Sequence, residues 1–201
     1  DFLHYLHCPK SLWLARHKPH LVPAPKPDAH ASLVQQQGYD VEAAIEAWLG
    51  PKGYTAQVVF EAANGAYART DLVRENADGS LDLIEVKGGV SVKKSHLYDI
   101  GFQACIAEMT GHKVRAMYVA QIRKDRVKGA HEPPFVLRDV TDQVSELLAD
   151  IRTQIALALD LLNTASIDET SCTCLVLSRA NHCETFDHFN ANIPRPSIYS
   201  L

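Results

Sequence analysis

The stretch from Gln57 to Lys87 restricts the fold more than any other part of the chain. Its residues run at period two, and two turn signals, Asn64-Gly65 and Ala77-Asp78-Gly79, cut it into three segments. Alternation broken by such turns predicts antiparallel strands joined by tight hairpins. One strand begins at Gln57-Val58-Val59-Phe60, a second covers residues 67–73, and a third covers residues 81–87 before Gly88-Gly89 breaks it. A helix is expected over residues 93–109, stopped by Gly111, with Leu97, Ile100 and Ala104 facing inward. Residues 114–122 read as another strand and 135–137 as a short edge strand.

The flanks are helical. Residues 2–16 read as one helix with Phe2, Leu3, Leu6, Trp13 and Leu14 apolar; Pro19, Pro23, Pro25 and Pro27 then impose an irregular connection. A second helix is expected over residues 30–49, where Val41, Ala44, Ile45 and Trp48 keep the spacing of one buried stripe and Gly50-Pro51 ends the run. Thr141 or Asp142 can cap a last long helix carrying Val144, Leu147, Leu148, Ile151, Ile155 and Leu162. The sum is an α/β domain with a helical entry, a mixed central sheet and helices packed against it. At 201 residues, 46% of them hydrophobic, the chain can bury one sizeable core, yet no apolar run is long enough to span a bilayer. It opens at Asp1 without Met or a secretory leader, and Ile193-Pro194-Arg195-Pro196-Ser197 reads as a linker. Both features make a piece of a longer protein the expectation.

The formal net charge of −4 argues against nucleic-acid binding by global electrostatics, so such binding needs a local patch. Arg123, Lys124, Arg126 and Lys128, interrupted by Asp125 and Val127, are the best basic run. A solvated loop is the better explanation of an isolated charge run of this kind.

More informative are Asp71 and the segment Asp82-Leu83-Ile84-Glu85-Val86-Lys87. Alternate strand residues share a face, so Glu85 and Lys87 project together while Ile84 and Val86 point the other way. A three-residue loop at Ala77, Asp78 and Gly79 places Asp71 opposite Glu85 on that face; a two-residue loop would separate them. Two carboxylates and the neighbouring carbonyl of Val86 are the hard oxygen ligands magnesium or manganese prefers. A lysine beside them can orient or deprotonate a water, or neutralise charge developing on a phosphate. A surface salt bridge between Glu85 and Lys87 is the competing explanation.

This arrangement resembles the PD-(D/E)XK nuclease superfamily, specifically its RecB-like branch. The resemblance implies a restriction-endonuclease-like core in which Asp71 and Glu85 bind metal and Lys87 serves the attacking water. It also implies a supporting glutamine on the following helix, here Gln103. The tyrosine expected four residues later is replaced by Ala107, and Gln103 could equally be an ordinary polar helix residue. The branch also carries a metal-binding residue four positions after a glycine on an upstream helix. Gly38 makes that residue Glu42, although Asp40 and Glu46 nearby would also suit an exposed helix face.

Five cysteines are an odd count, which argues against a pure disulfide framework. Cys8 lies near the start, and Cys172, Cys174 and Cys183 crowd the end; with no leader, a reducing cytoplasmic setting and a metal site are expected. Cys105, amid Ala104, Ile106 and Ala107, reads as a small core residue. One early cysteine with three late ones resembles iron–sulfur nucleases of the AddB and CRISPR-associated adaptation types. The likeness is nearest to an uncharacterised bacterial RecB-like family with a Cys-Pro-x-x-x-Trp start and a late Cys-x-Cys. It implies that Cys8, Cys172, Cys174 and Cys183 hold a four-iron, four-sulfur cluster that joins the ends, residues 1–16 and 164–190, around a nuclease core of residues 30–163. Zinc is the alternative, since four thiolates also make a tetrahedral site, with His182 nearby.

The expected function is a magnesium- or manganese-dependent deoxyribonuclease, an exonuclease on single-stranded or end-containing DNA, with a fused or partner helicase or other nucleic-acid-processing domain as an expected companion. A catalytically degenerate nucleic-acid-binding module, or an iron–sulfur interaction module, is the alternative.

Overall fold

The computed structural model of the chain describes residues 1–24, 29–124, 134–194 and 197. In order, its elements are α1 (Phe2–His7), α2 (Pro9–His17), α3 (Ala29–Leu49), β1 (Thr55–Glu61), β2 (Tyr67–Glu75), β3 (Leu81–Lys87), α4 (Lys94–Met109), β4 (Val114–Ile122), β5 (Phe135–Asp139), α5 (Thr141–Ser145), α6 (Leu148–Asn163) and α7 (Phe186–Phe189). They fall into two compact units, residues 28–152 and residues 1–27 with 153–201. No helix among the described residues is long and apolar enough to cross a membrane.

The larger unit is built on a five-stranded sheet in the order β1-β2-β3-β4-β5. The β3–β4 pair is parallel and the other three are antiparallel, so the sheet is mixed. Central β3 is almost wholly buried, which is why its sequence is dense in Leu, Ile and Val. The β2–β3 hairpin closes with Asn76 N–H donating to the Ser80 carbonyl at 2.8 Å, leaving Ala77, Asp78 and Gly79 as the loop. Gly79 sits at φ 76°, the left-handed position a three-residue hairpin demands.

Helix α3 packs Ile45 and Leu49 against Leu72, Ile84 and Ala120. Its buried stripe is therefore rotated from the expected one: Leu49 is in the core and Ala44 is exposed. Helix α4 reaches the alternate residues of β3, with Gln103 bonded to Glu85 and Asp99 to Lys87. Since Ile84 and Glu85 point to opposite sides of the strand, helices flank both faces of the sheet. At Gly101 a Cβ would stand 2.5 Å from Ile151 Cδ1 and 3.0 Å from Val144 Cγ1, so the glycine permits a close approach to α4.

The expected last long helix is two helices, α5 and α6, with turns at Glu146 and Leu147 between them. Neither Thr141 nor Asp142 is the cap. Val140 takes that position, and the Thr141 hydroxyl instead accepts the Met117 amide of β4 at 3.0 Å.

In the smaller unit, the single helix expected over residues 2–16 is broken at Cys8, which is extended (φ −152°, ψ 98°). Pro9 excludes the helical conformation from the residue before it and opens α2 instead. Trp13, Leu14, Phe186 and Phe189 form a core with the four cysteines Cys8, Cys172, Cys174 and Cys183. Trp13 Nε1 donates to the Thr164 carbonyl at 2.8 Å, tying the early segment to the late one. Pro25, Pro27, Arg126, Lys128, Arg195 and Pro196 lie outside the described residues.

Candidate active site and metal centre

Asp71 occupies an opening in the sheet. The β2–β3 ladder runs from Glu75↔Leu81 to Leu72↔Ile84 and stops there, although β3 continues alongside β4 to Lys87. On the other side, the β1–β2 register passes from Ala56↔Leu72 to Val58↔Thr70 and omits Gln57, the residue facing Asp71. Extending the hairpin register by one residue sets Asp71 opposite Glu85. Asp71 Oδ2 accepts the Val86 N–H at 2.8 Å, the place a ladder carbonyl would otherwise take.

Around it the expected residues are brought together. Lys87 Nζ donates to Glu85 Oε1 at 2.5 Å and to Asp99 Oδ2 at 2.8 Å. Gln103 Nε2 donates to Glu85 Oε2 at 2.5 Å, so the glutamine of α4 is a direct partner of the buried acid. Each carboxylate oxygen of Glu85 thus has one donor and keeps a second lone pair. Val86, Lys87 and Glu42 line one open groove with Gln35, Gly38, Tyr39 and Gly88.

Two participants carry no obvious mark in the sequence. Asp99 precedes Gln103 by four residues and so shares its helix face. Gln57 donates to Glu42 Oε1 and adopts φ 54°, the left-handed region that a glutamine rarely occupies. Strain of this kind persists where surrounding contacts hold it, commonly at functional sites.

The electrostatics of β3 separate two buried carboxylates. Asp82 is fully buried, but Arg115 and Arg74 both bond to it, as does Asn76. Burial pushes its pKa up, and these donors more than reverse that, leaving Asp82 below the usual carboxylate range. Glu85, only 5% exposed, is raised to about 8, first by burial and then by the negative charges of Asp71 and Asp99. Asp71 is raised to about 6 by burial, with Glu42 and Asp99 adding to the shift and the Val86 amide and Lys87 opposing it. Burial would lower the Lys87 pKa, but Glu85 and Asp99 outweigh it and hold the ammonium above its ordinary value. Four carboxylates around one lysine leave an excess of negative charge that the Asp82 cluster does not have.

In the smaller unit the Sγ atoms of Cys8, Cys172, Cys174 and Cys183 all lie within 4.8 Å of one another, and all four residues are buried. Sequence places them on separate turns: the extended break before α2, a short 3-10 turn after Cys172, and the approach to α7. Cys183 is drawn down to about 4, first by the hydrogen bond from the Cys8 thiol, while Cys8 is raised by the same bond. Burial pushes the Cys174 thiol up to about 11, so Cys183 is the member drawn toward thiolate, the metal-binding form. Asn190 Nδ2 donates to Cys172 Sγ at 3.4 Å, an outer contact that orients the thiol as a second shell would orient a ligand. His182 stacks on Phe186 and donates to the Leu177 carbonyl, outside the tetrad. Cys105 is buried on α4 and takes no part in it.

Fold and sites together define an α/β protein with a five-stranded mixed sheet flanked by helices and a four-cysteine group able to bind metal. Among solved structures it is similar to the crystal structure of SSO0001, at 16% identity and a TM-score of 0.50, over 90% of this chain and 86% of that one. The likeness is one of fold alone. No family model and no curated protein matches the chain.

Proposed function

We propose that the larger unit is a metal-dependent nuclease of the PD-(D/E)XK type with a restriction-endonuclease-like core, hydrolysing phosphodiester bonds in single-stranded or end-containing DNA. The observation that carries this reading is the grouping of buried Glu85 with Asp71, Asp99 and Lys87, in which three carboxylates meet one lysine and the shortage of positive charge raises the Glu85 pKa. Asp71 and Glu85 supply oxygen ligands for magnesium or manganese, with Glu42 and the Val86 carbonyl completing the set. When bound, such an ion polarises the scissile phosphate and lowers the pKa of a coordinated water. Gln103 fixes the rotation of the Glu85 carboxylate. Lys87, held as an ammonium between Glu85 and Asp99, orients the water and balances negative charge growing on the phosphate. Its raised pKa favours that role over proton abstraction.

The tetrad in the smaller unit is proposed as a structural iron–sulfur centre, following the resemblance in cysteine order. A zinc reading has an observation in its favour. Thiolates around one tetrahedral zinc stand ~3.8 Å apart, given a Zn–S bond of ~2.3 Å. Cys172 and Cys183 are at 3.9 Å, whereas a four-iron cluster would spread the sulfurs further. Iron and zinc content of the purified protein, with its colour, separates the two. A cytoplasmic setting and a fused or partner helicase, or other nucleic-acid-processing domain, belong to the same proposal, on the family resemblance.

End-labelled single- and double-stranded DNA, incubated with and without manganese, tests the activity; absence of metal-dependent cleavage overturns it. A second measurement tests the metal ligands. Asp71 and Glu85, with folded pKa values above their unfolded ones, hold protons more tightly in the folded state. They stabilise the metal-free protein at low pH and withdraw that support as pH rises through about 6 and about 8. The thermal stabilisation by manganese, measured against chelator, is therefore expected to grow across that interval. A manganese effect that does not change with pH would contradict carboxylate ligation by this pair.

A further inference from the structure

The face of α4 that meets β3 is polar: Gln103 bonds to Glu85 and Asp99 to Lys87. Four residues back along a helix cover ~6 Å, and two residues forward along a strand cover ~6.6 Å, so helix and strand pass each other in step. His96 is the next residue of that helix face, three before Asp99. Its place in the series falls beyond Lys87, where the next residue on the same side of β3 is Gly89, which has no side chain to offer. His96 is therefore half-buried beside the lysine at the end of the strand, within reach of the charges of Lys87, Lys93 and Asp99.

The start of the helix fixes the state of the ring. His96 Nδ1 accepts the Lys93 N–H at 3.2 Å, so the neutral imidazole carries its own proton on Nε2. Glutamate or glutamine usually accepts such a bond at the third position of a helix, and glutamate would also suit the positive helix end. Histidine makes the same cap and adds what glutamate lacks, an N–H donor on its other ring nitrogen. Burial, with Lys87 and Lys93, holds the imidazole below the usual histidine range against the pull of Asp99. It is thus a neutral donor rather than an acid that gives up a proton.

We infer that His96 is a further substrate contact of the proposed nuclease, its Nε2–H donating a hydrogen bond to a non-bridging oxygen of the scissile phosphate beside the Lys87 ammonium. The inference rests on the nuclease reading and adds a residue to it. No proton changes hands: the imidazole stays neutral, and its N–H points at negative charge that grows on the phosphate as the nucleophile adds. Asp99 holds the lysine and the Lys93 amide holds the histidine, so both donors are set before a substrate arrives.

The test compares wild type with His96→Asn and His96→Gln on fluorescein-labelled oligothymidylate, with cleavage measured in manganese and Kd in calcium. Asparagine keeps an acceptor where Nδ1 stood and loses the donor; the longer glutamine can place an amide N–H where Nε2 stood. His96→Asn is expected to lower kcat/KM about 10²-fold, with Tm and the manganese concentration for half-maximal rate unchanged. His96→Gln is expected to recover that loss to within about 5-fold of wild type. A residue that only caps α4 would lose Tm and rate together, or leave the rate untouched. In a wild type that cleaves, rates within about 3-fold in both variants, a fall that follows Tm, or a loss glutamine does not recover overturns the contact and spares the nuclease reading. In a protein that never cleaves, a Kd weakened about 10-fold in His96→Asn and recovered in His96→Gln supports the contact and overturns the nuclease reading. No cleavage, with no binding or with binding that neither variant changes, overturns both.

Discussion

Lys87→Ala is expected to lower manganese-dependent DNA cleavage by about 10³-fold or more, the scale seen when a positioned electrostatic group is removed from a reacting phosphate. The reason lies in the balance around Glu85. Lys87 is the cation that bonds to both Glu85 and Asp99, at 2.5 Å and 2.8 Å. Without it, Glu85 stays buried beside Asp71 and Asp99 with only Gln103 as donor. In the metal-free variant Glu85 is expected to hold its proton, which limits the loss of stability. The measurement is the initial rate on end-labelled single-stranded DNA at saturating manganese, with circular dichroism to confirm folding. A folded Lys87→Ala protein cleaving within ten-fold of wild type would show that the lysine is a salt-bridge partner and nothing more. Asp99→Asn separates the two roles further. It removes one anchor of the ammonium and leaves Glu85, so a decrease in kcat with unchanged metal affinity identifies Asp99 as a positioning residue.

Much of this site was legible because turn chemistry is local. Gly79 at the left-handed position determines loop length, loop length determines register, and register brings Asp71 and Glu85 together. Gln103 is legible only through resemblance, and Asp99 carries no sequence signal of its place in the site. A charged residue on a helix looks solvated until a half-buried lysine on the neighbouring strand gives it a partner. Gln57 left no trace either, since its left-handed backbone is imposed by tertiary contacts that glutamine does not advertise. The buried stripe of α3 was misplaced for a similar reason. Period alone does not distinguish Ala44 from Leu49 as the inward residue, and the sheet chose the larger side chain. The break at Cys8 was written in Pro9, but the apolar residues on either side made residues 2–16 read as continuous. The turns at Glu146 and Leu147 carry no glycine or proline to announce them.

Cys174→Ala is expected to strip the metal from the smaller unit and lower its melting temperature by more than about 10 °C, because the free energy of a structural thiolate centre is largely folding free energy. The packing explains why a metal would matter there. Besides the cysteines, the fully buried residues of this core are Trp13, Leu14, Phe186 and Phe189, with Leu161, Ile167, Leu175 and Ile193 only partly buried against it. Small cores of that kind depend on a staple. The four sulfurs sit within 4.8 Å of one another at the convergence of residue 8 with residues 172–183, so one centre closes a loop that spans most of the sequence. Cys105→Ala is the control. Its thiol is buried on α4 and lies outside the tetrad, and the substitution is expected to leave metal content unchanged. Metal per chain, measured by elemental analysis beside a thermal melt, tests both variants. Full metal content in Cys174→Ala would exclude the tetrad as the binding site. Metal loss without a fall in melting temperature would exclude its structural role and leave a centre that is bound but not needed for the fold.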